Sequence, residues 1–282
     1  VGQEDVAYLA TVAGAALDRS LSLIVPLYNE EERLAESAAS LAEFVAGYPA
    51  GSELILVDDG SRDDTAAVAN DIAGRLPVPT RVLERPHLGK GAAVRSGLAV
   101  AGGTILAFCD VDLATPLDEL GRIAAAAASA PVLAIGSRDV VSTRLIQRES
   151  EGRELLGKAF NGLLRMTLTP GIYDTQCGAK AAHRAVWKEI LPYCIENGFA
   201  WDAEAIAIGR RRGIAVWEVG IAWRHDARTR VRPLRDGARM VAAVPGMVRR
   251  VRHTPSLVVG PAARPIDLRA GEREAVTLLP SA

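Results

Sequence analysis

Apolar residues in this chain come in short unbroken runs that stop abruptly at polar clusters. "LSLIVPLYN" (21–29), "ELILVDDGS" (53–61), "TRVLER" (80–85), "TILAFCDVD" (104–112) and "PVLAIGSR" (131–138) each read as a buried strand. Between them the period changes to a helical one. Leu34, Ala38, Leu41 and Val45 recur at helical spacing behind Asn29, which is expected to cap a helix starting at Glu30. Ser61 and the acidic "RDDT" open a second helix, "GKGAAVRSGLAVA" (89–101) a third, and "PLDELGRIAAAAAS" (116–129) a fourth, with Pro116 near its first turn.

Strands that are apolar on both faces and alternate with helices predict an α/β fold, a mostly parallel sheet flanked by helices. Ligands of such sheets bind beyond the carboxyl ends of the strands. Tyr28, Asn29, Glu30, Asp58, Asp59, Asp110, Asp112 and Arg138 all fall there. The second half is less regular. Helices are expected in "GKAFNGLLRMTLT" (157–169), from Arg184 to Ile195 and in "FAWDAEAIAIGRRRG" (199–213). A tight segment covers "PGIYDTQCGAKAAHR" (170–184), and "IAVWEVGIAW" (214–223) reads as one strand. Residues 1–20 are a lead-in, 21–232 one domain divided near 138, 233–254 a basic amphipathic segment, and 255–282 a poorly ordered tail.

The chain has 282 residues, 49% of them hydrophobic and 24% charged, with a net charge of −1. That size suits one large α/β domain with appendages, and the charge gives no global field for nucleic acid. Cys109, Cys177 and Cys194 lack the spacing of a zinc site or a disulfide framework, which fits a cytoplasmic setting. No run approaches the roughly 18 apolar residues of a membrane span. Charge is nevertheless uneven: nine arginines lie between Arg224 and Arg252, against Asp226 and Asp236. In that region Met240, Val241, Val244, Met247, Val248 and Val251 share a helical face, with Arg235, Arg239, Arg249, Arg250 and Arg252 around it and Pro245 expected to kink it. Such a helix can lie on an anionic membrane at the inner face, or pack on the domain with its arginines solvated.

Two carboxylates one residue apart, Asp110 and Asp112, invite two readings. Asp112 could cap the following helix beside a solvated Asp110, or the pair could hold Mg²⁺ or Mn²⁺, cations that prefer oxygen ligands. "GKGAAV" lacks the third glycine of a dinucleotide fingerprint, and no P-loop pattern occurs. Lys90 and Arg95 flank a helix start where a diphosphate could sit.

"VPLYNEEERL", "ILVDDGSRDDT", "HLGKGAAVRSGL" and "CDVDLATP" resemble, in order and spacing, the nucleotide-binding half of family 2 glycosyltransferases, which have the GT-A fold. The resemblance is strongest to dolichyl-phosphate β-glucosyltransferases and bacterial polyprenyl-phosphate glycosyltransferases. "IGSRD", "DTQCGAKAAHR", "FAWDAEAIAIGRRRG" and "EVGIAWRH" extend it to about residue 232, although Ala179 stands where an aromatic is usual. It implies that Pro26, Tyr28, Glu30 and Asp58 line base and ribose. Lys90, Asp110 and Arg138 would serve the phosphates and sugar, and Asp112 would be the principal metal ligand beside Asp110. A third, amide ligand of some relatives is replaced by Ala114. Asp174 and Gln176 would lie toward the acceptor, Asp202 and Glu204 where hydroxyl-using members carry a base, and His225 toward the diphosphate. The implied reaction is inverting transfer of a hexose from a nucleotide diphosphate sugar, expected to be UDP-glucose, to a polyprenyl phosphate. Transfer to a soluble small-molecule or peptide acceptor and a silent nucleotide-sugar-binding module are the alternatives.

Overall fold

The structure, a computed structural model, describes residues 19–138, 144–147, 151–224 and 233–256. The expected lead-in up to residue 18, the tail beyond 256 and His225 lie outside the described residues.

The first half builds as its periodicity predicts. Strand β1 (Leu21–Leu27), helix α1 (Glu31–Ala46), β2 (Glu53–Asp58), α2 (Thr65–Ala73), β3 (Thr80–Glu84), α3 (Lys90–Val100), β4 (Ile105–Phe108), α4 (Leu117–Ser129) and β5 (Val132–Ser137) follow in order. Strand faces alternate. Leu23, Val25, Leu54 and Leu56 pack under Leu34 and Leu41 of α1 and Leu120 and Ile123 of α4. Ile24, Ile55, Val57 and Phe108 turn the other way, toward Val94 and Leu98 of α3. Both faces are covered, which is why each strand reads as continuously apolar.

The later elements are β6 (Arg144–Gln147), α5 (Glu151–Thr167), β7 (Lys180–His183), α6 (Arg184–Ile190), α7 (Trp201–Arg211), β8 (Ala215–Gly220), β9 (Ala222–Arg224) and α8 (Pro233–His253). The main sheet has the order β3-β2-β1-β4-β7-β5-β8, and β6 pairs with β9 in a second, two-stranded sheet. From β1 the chain moves outward to β2 and β3, then returns to place β4 on the opposite side. The crevice of a doubly wound sheet therefore opens beyond β1 and β4.

Three expectations change. Part of the tight 170–184 segment is strand β7, antiparallel to both β4 and β5 in mid-sheet. Its sequence, Lys-Ala-Ala-His, has no β-branched residue to announce a strand. "IAVWEVGIAW" is two strands in two sheets, separated at Ile221. The helix expected to reach Ile195 ends at Ile190, where a single 3₁₀ turn, Leu191–Tyr193, carries a proline at its start.

Helix α8 contains Pro245 within one continuous span. Val244 and Met247 are buried against Phe160 and Leu164 of α5 and Ala203 and Ala207 of α7. The domain itself thus covers much of the apolar face. Among the described residues no helix is long and apolar enough to cross a membrane.

Candidate active site

Beyond β1 the chain turns through Asn29 in the left-handed region, φ 54°. Asparagine tolerates that conformation better than most residues. Asn29 does not cap α1: its side-chain oxygen accepts from the Arg62 amide at 2.8 Å, and its own amide donates to Ser61 Oγ at 2.9 Å. It clasps the β1 and β2 loops together. Glu30 precedes α1 and is bound by the guanidinium of the buried Arg33, at 3.0 and 3.1 Å.

Asp58 and Asp59, both nearly inaccessible, close the β2 end. Asp58 accepts from the amides of Gly60 and Ser61 at 3.2 and 3.1 Å. Asp59 accepts from the amides of Leu88 and Gly89, both at 2.9 Å, and meets His87 Nδ1 at 2.8 Å. The His87 ring in turn stacks on Tyr28, centroids 4.0 Å apart. Asp59 and His87 therefore buttress Tyr28, one of the residues, with Pro26, Glu30 and Asp58, expected to line base and ribose. The contact between Asp59 and His87 joins residues 28 apart in the chain, beyond the reach of local sequence pattern.

Beyond β4 stands the charged centre. Lys90 Nζ is 2.6 Å from Asp110 Oδ1. Burial alone would lower the Lys90 pKa, but the surrounding Asp110, Asp202 and Asp112 outweigh it and hold the ammonium firmly charged. Asp112 Oδ1 accepts from the Ala114 amide at 3.0 Å. Burial and the neighbouring Asp110 together push the Asp112 carboxyl above its ordinary value, which marks a carboxylate short of compensating charge. Behind them Gly178, just before β7, leaves no room: a Cβ there would sit 1.9 Å from Asp110 Oδ2. Asp110 and Asp112 form a pair of hard oxygen donors suited to Mg²⁺ or Mn²⁺. Among the described residues no group of three or more potential ligands occurs.

Arg138 follows β5. Its Nε and Nη2 bind Asp174 at 2.7 and 3.0 Å, its amide adds a third bond at 3.0 Å, and its guanidinium lies over the Trp223 ring. Asp174 is fully buried and also accepts from the Gln176 amide. Burial would raise its pKa, but Arg138 and these bonds outweigh it, so the carboxyl is held below its usual range. Asp174 thus orients Arg138, while the half-buried Gln176 bonds Thr175 Oγ1. Behind it Glu218, not singled out from the sequence, accepts from the amides of Tyr173 and Asp174 and from Ser137 Oγ.

Three expected site residues are held by bonds within the protein. Asp202 is buried in an ion pair with Lys180, whose Nζ reaches Asp202 Oδ1 and Cys177 O, both at 2.6 Å. Glu204 is fully buried, accepting from the amides of Ile195 and Glu196 and from Arg250. Arg95 is occupied by Cys194 O and the Asn197 side chain. Trp201 is core, packed on Phe108 and Trp187. The three cysteines are buried, and burial pushes their thiols up, away from nucleophilic use.

Sheet order, the antiparallel strand inserted beside β4 and the carboxylate pair beyond it together define the GT-A class of α/β fold. The chain belongs to glycosyl transferase family 2, whose profile matches residues 22–191. It is 30% identical over 213 residues to dolichyl-phosphate β-glucosyltransferase ALG5C of Trichomonas vaginalis, covering 72% of this chain and 63% of that protein. It is 34% identical to dolichyl-phosphate β-glucosyltransferase of Drosophila melanogaster, covering 72% and 66%. The chain thus spans just under two thirds of those relatives. Glucosyl-3-phosphoglycerate synthase of Mycobacterium tuberculosis, crystallised with Mg²⁺ and uridine diphosphate, shares the fold. The TM-score is 0.62 at 22% identity, covering 90% of this chain and 86% of that one.

Proposed function

We propose that this protein transfers a hexose, with inversion, from a nucleotide diphosphate sugar, UDP-glucose, to the phosphate of a polyprenyl or dolichyl phosphate. One observation carries the choice of acceptor: the three carboxylates expected near it, Asp174, Asp202 and Glu204, are all buried in ion pairs. A hydroxyl acceptor needs a general base to take its proton. A phosphate monoester is already an anion near pH 7 and attacks without one. The names of the curated relatives support the same acceptor and sugar.

In this reading Pro26, Tyr28, Glu30 and Asp58 receive base and ribose. Lys90 and Arg138 bind the donor's phosphates and sugar. Asp110 and Asp112 would hold Mg²⁺ or Mn²⁺, which when bound supplies positive charge against the departing diphosphate. Lys90 adds a fixed cation on the same side. The arginine face of α8 contacts anionic lipid, near the headgroup of the acceptor.

The test supplies radiolabelled UDP-glucose and Mg²⁺ or Mn²⁺ with either polyprenyl phosphate or a panel of soluble hydroxyl acceptors. Label should enter the polyprenyl phosphate. Asp202→Asn, assayed below its melting temperature, should keep substantial turnover, without the roughly 10²–10⁴-fold loss that follows removal of a general base. Label found only in soluble acceptors, together with such a collapse, overturns this reading.

A further inference from the structure

We propose that the Arg250–Glu204 ion pair is a positioning element for Lys90, acting through the turn at residues 194–200; its link to diphosphate binding rests on the proposed function above. Arg250 Nε donates to Glu204 Oε1 at 2.6 Å, and Glu204 Oε2 accepts from the Ile195 and Glu196 amides at 2.9 and 2.7 Å. Glu204 is entirely buried, so without Arg250 its charge would rest on two amides alone. The turn it holds is closed internally by the Glu196 side chain on the Gly198 amide.

That turn is the surface on which the start of α3 is seated. Asn197 O accepts from the Ala92 amide at 3.2 Å. Arg95, one helical turn on, binds Cys194 O at 2.5 Å and the Asn197 side chain. The glycines on either side of Lys90 leave no slack. A Cβ on Gly89 would be 2.5 Å from Asn197 O, and one on Gly91 would be 2.8 Å from Glu196 O and 2.4 Å from Trp201 Cβ. The Lys90 backbone therefore goes where the turn goes. Its ammonium, 2.6 Å from Asp110, carries this chain of contacts to the crevice. Arg250 belongs to α8, so the docking of the arginine-rich helix is tied to the site through two carboxylate oxygens.

Arg250→Met removes the cation while keeping an unbranched chain. Hydrogen exchange of the ligand-free variant should speed up at residues 88–93 and 194–198, while β1 and β2 exchange as before. With Mn²⁺ present, affinity for uridine diphosphate should fall about tenfold and affinity for uridine should not change, a coupling of ordinary size for linked residues. The loss should vanish in a Lys90→Met background, because Arg250 acts through Lys90. Arg250→Lys should restore part of the affinity, and it carries the test if Arg250→Met does not fold. Exchange that rises only within α8, with diphosphate affinity intact, overturns the proposal, as do additive effects with Lys90→Met. Wild-type protein that fails to bind uridine diphosphate refutes the donor reading instead, and the exchange pattern then decides for the strut by itself.

Discussion

Asp202 and Lys180 sit opposite each other with almost no exposure, and that pairing dictates what changing either one does. Breaking a buried pair by removing one partner costs about 3–5 kcal/mol, because the other charge is left uncompensated. Asp202→Asn should therefore unfold at markedly lower urea than the wild type, and Asp202→Asn/Lys180→Met should recover most of the difference. Equal stability of the single and double variants would show that the pair is not coupled. Asp174 differs, because its dependence is on pH. Its folded carboxyl is held below the unfolded value of about 3.9. Its stabilisation is thus complete above that value and is lost as pH falls through the folded-state value. The stability gap between wild type and Asp174→Asn, measured by denaturant titration, should be constant near neutrality and narrow below roughly pH 4. None of this was visible in the sequence. "WDAE" and "YDTQ" show acidic residues, but their cations, Lys180 and Arg138, lie 22 and 36 residues away.

Among the elements, those that repeat the strand–helix alternation were legible, and those that break it were not. Strands β1, β2 and β4 announce themselves because the parallel sheet buries both of their faces, leaving an apolar run and a polar stop. The stops lie beyond the carboxyl ends of the strands, so Tyr28, Asp58, Asp110 and Asp112 could be placed on one edge from periodicity alone. Strand β7 could not. Its four residues owe their conformation to two neighbours already in place, β4 and β5, and not to their own propensity. Yet this strand delivers Gly178 to the back of Asp110. Gly178→Ala should leave the fold intact, since the glycine lies outside the strand, but drive the Asp110 carboxylate from its position. Calorimetry should then show loss of Mn²⁺-dependent nucleotide binding with the metal-independent part unchanged. Unaltered metal dependence would mean that Asp110 moves without consequence.

For the whole molecule, the arginine-rich helix α8 has two faces with different destinations. Its inward face, Val244 and Met247, is spent on α5 and α7, and Arg250 is spent on Glu204. What remains outside is Arg235, Arg239, Arg249 and Arg252, exposed along about 25 Å of helix. Little apolar area is left on that surface, with Val241 its main exposed hydrophobe. Contact with a membrane would therefore be electrostatic, not insertion, and the two are distinguished by salt. Each arginine near an anionic surface contributes on the order of 1 kcal/mol, screened over a Debye length of about 8 Å at physiological ionic strength. Binding to phosphatidylserine-containing vesicles should be measurable at low salt and fall steeply as salt rises, and phosphatidylcholine vesicles should bind hardly at all. Arg239, Arg249 and Arg252 are the residues to reverse to glutamate, leaving Arg250 alone because its loss would disturb the domain. That triple variant should keep the wild-type melting temperature and its turnover on a short water-soluble polyprenyl phosphate. It should lose vesicle binding and transfer more slowly to a long-chain acceptor embedded in anionic vesicles. A variant that binds vesicles as the wild type does, or wild-type binding indifferent to salt and lipid charge, would remove α8 from the membrane and leave the acceptor to be reached by another surface.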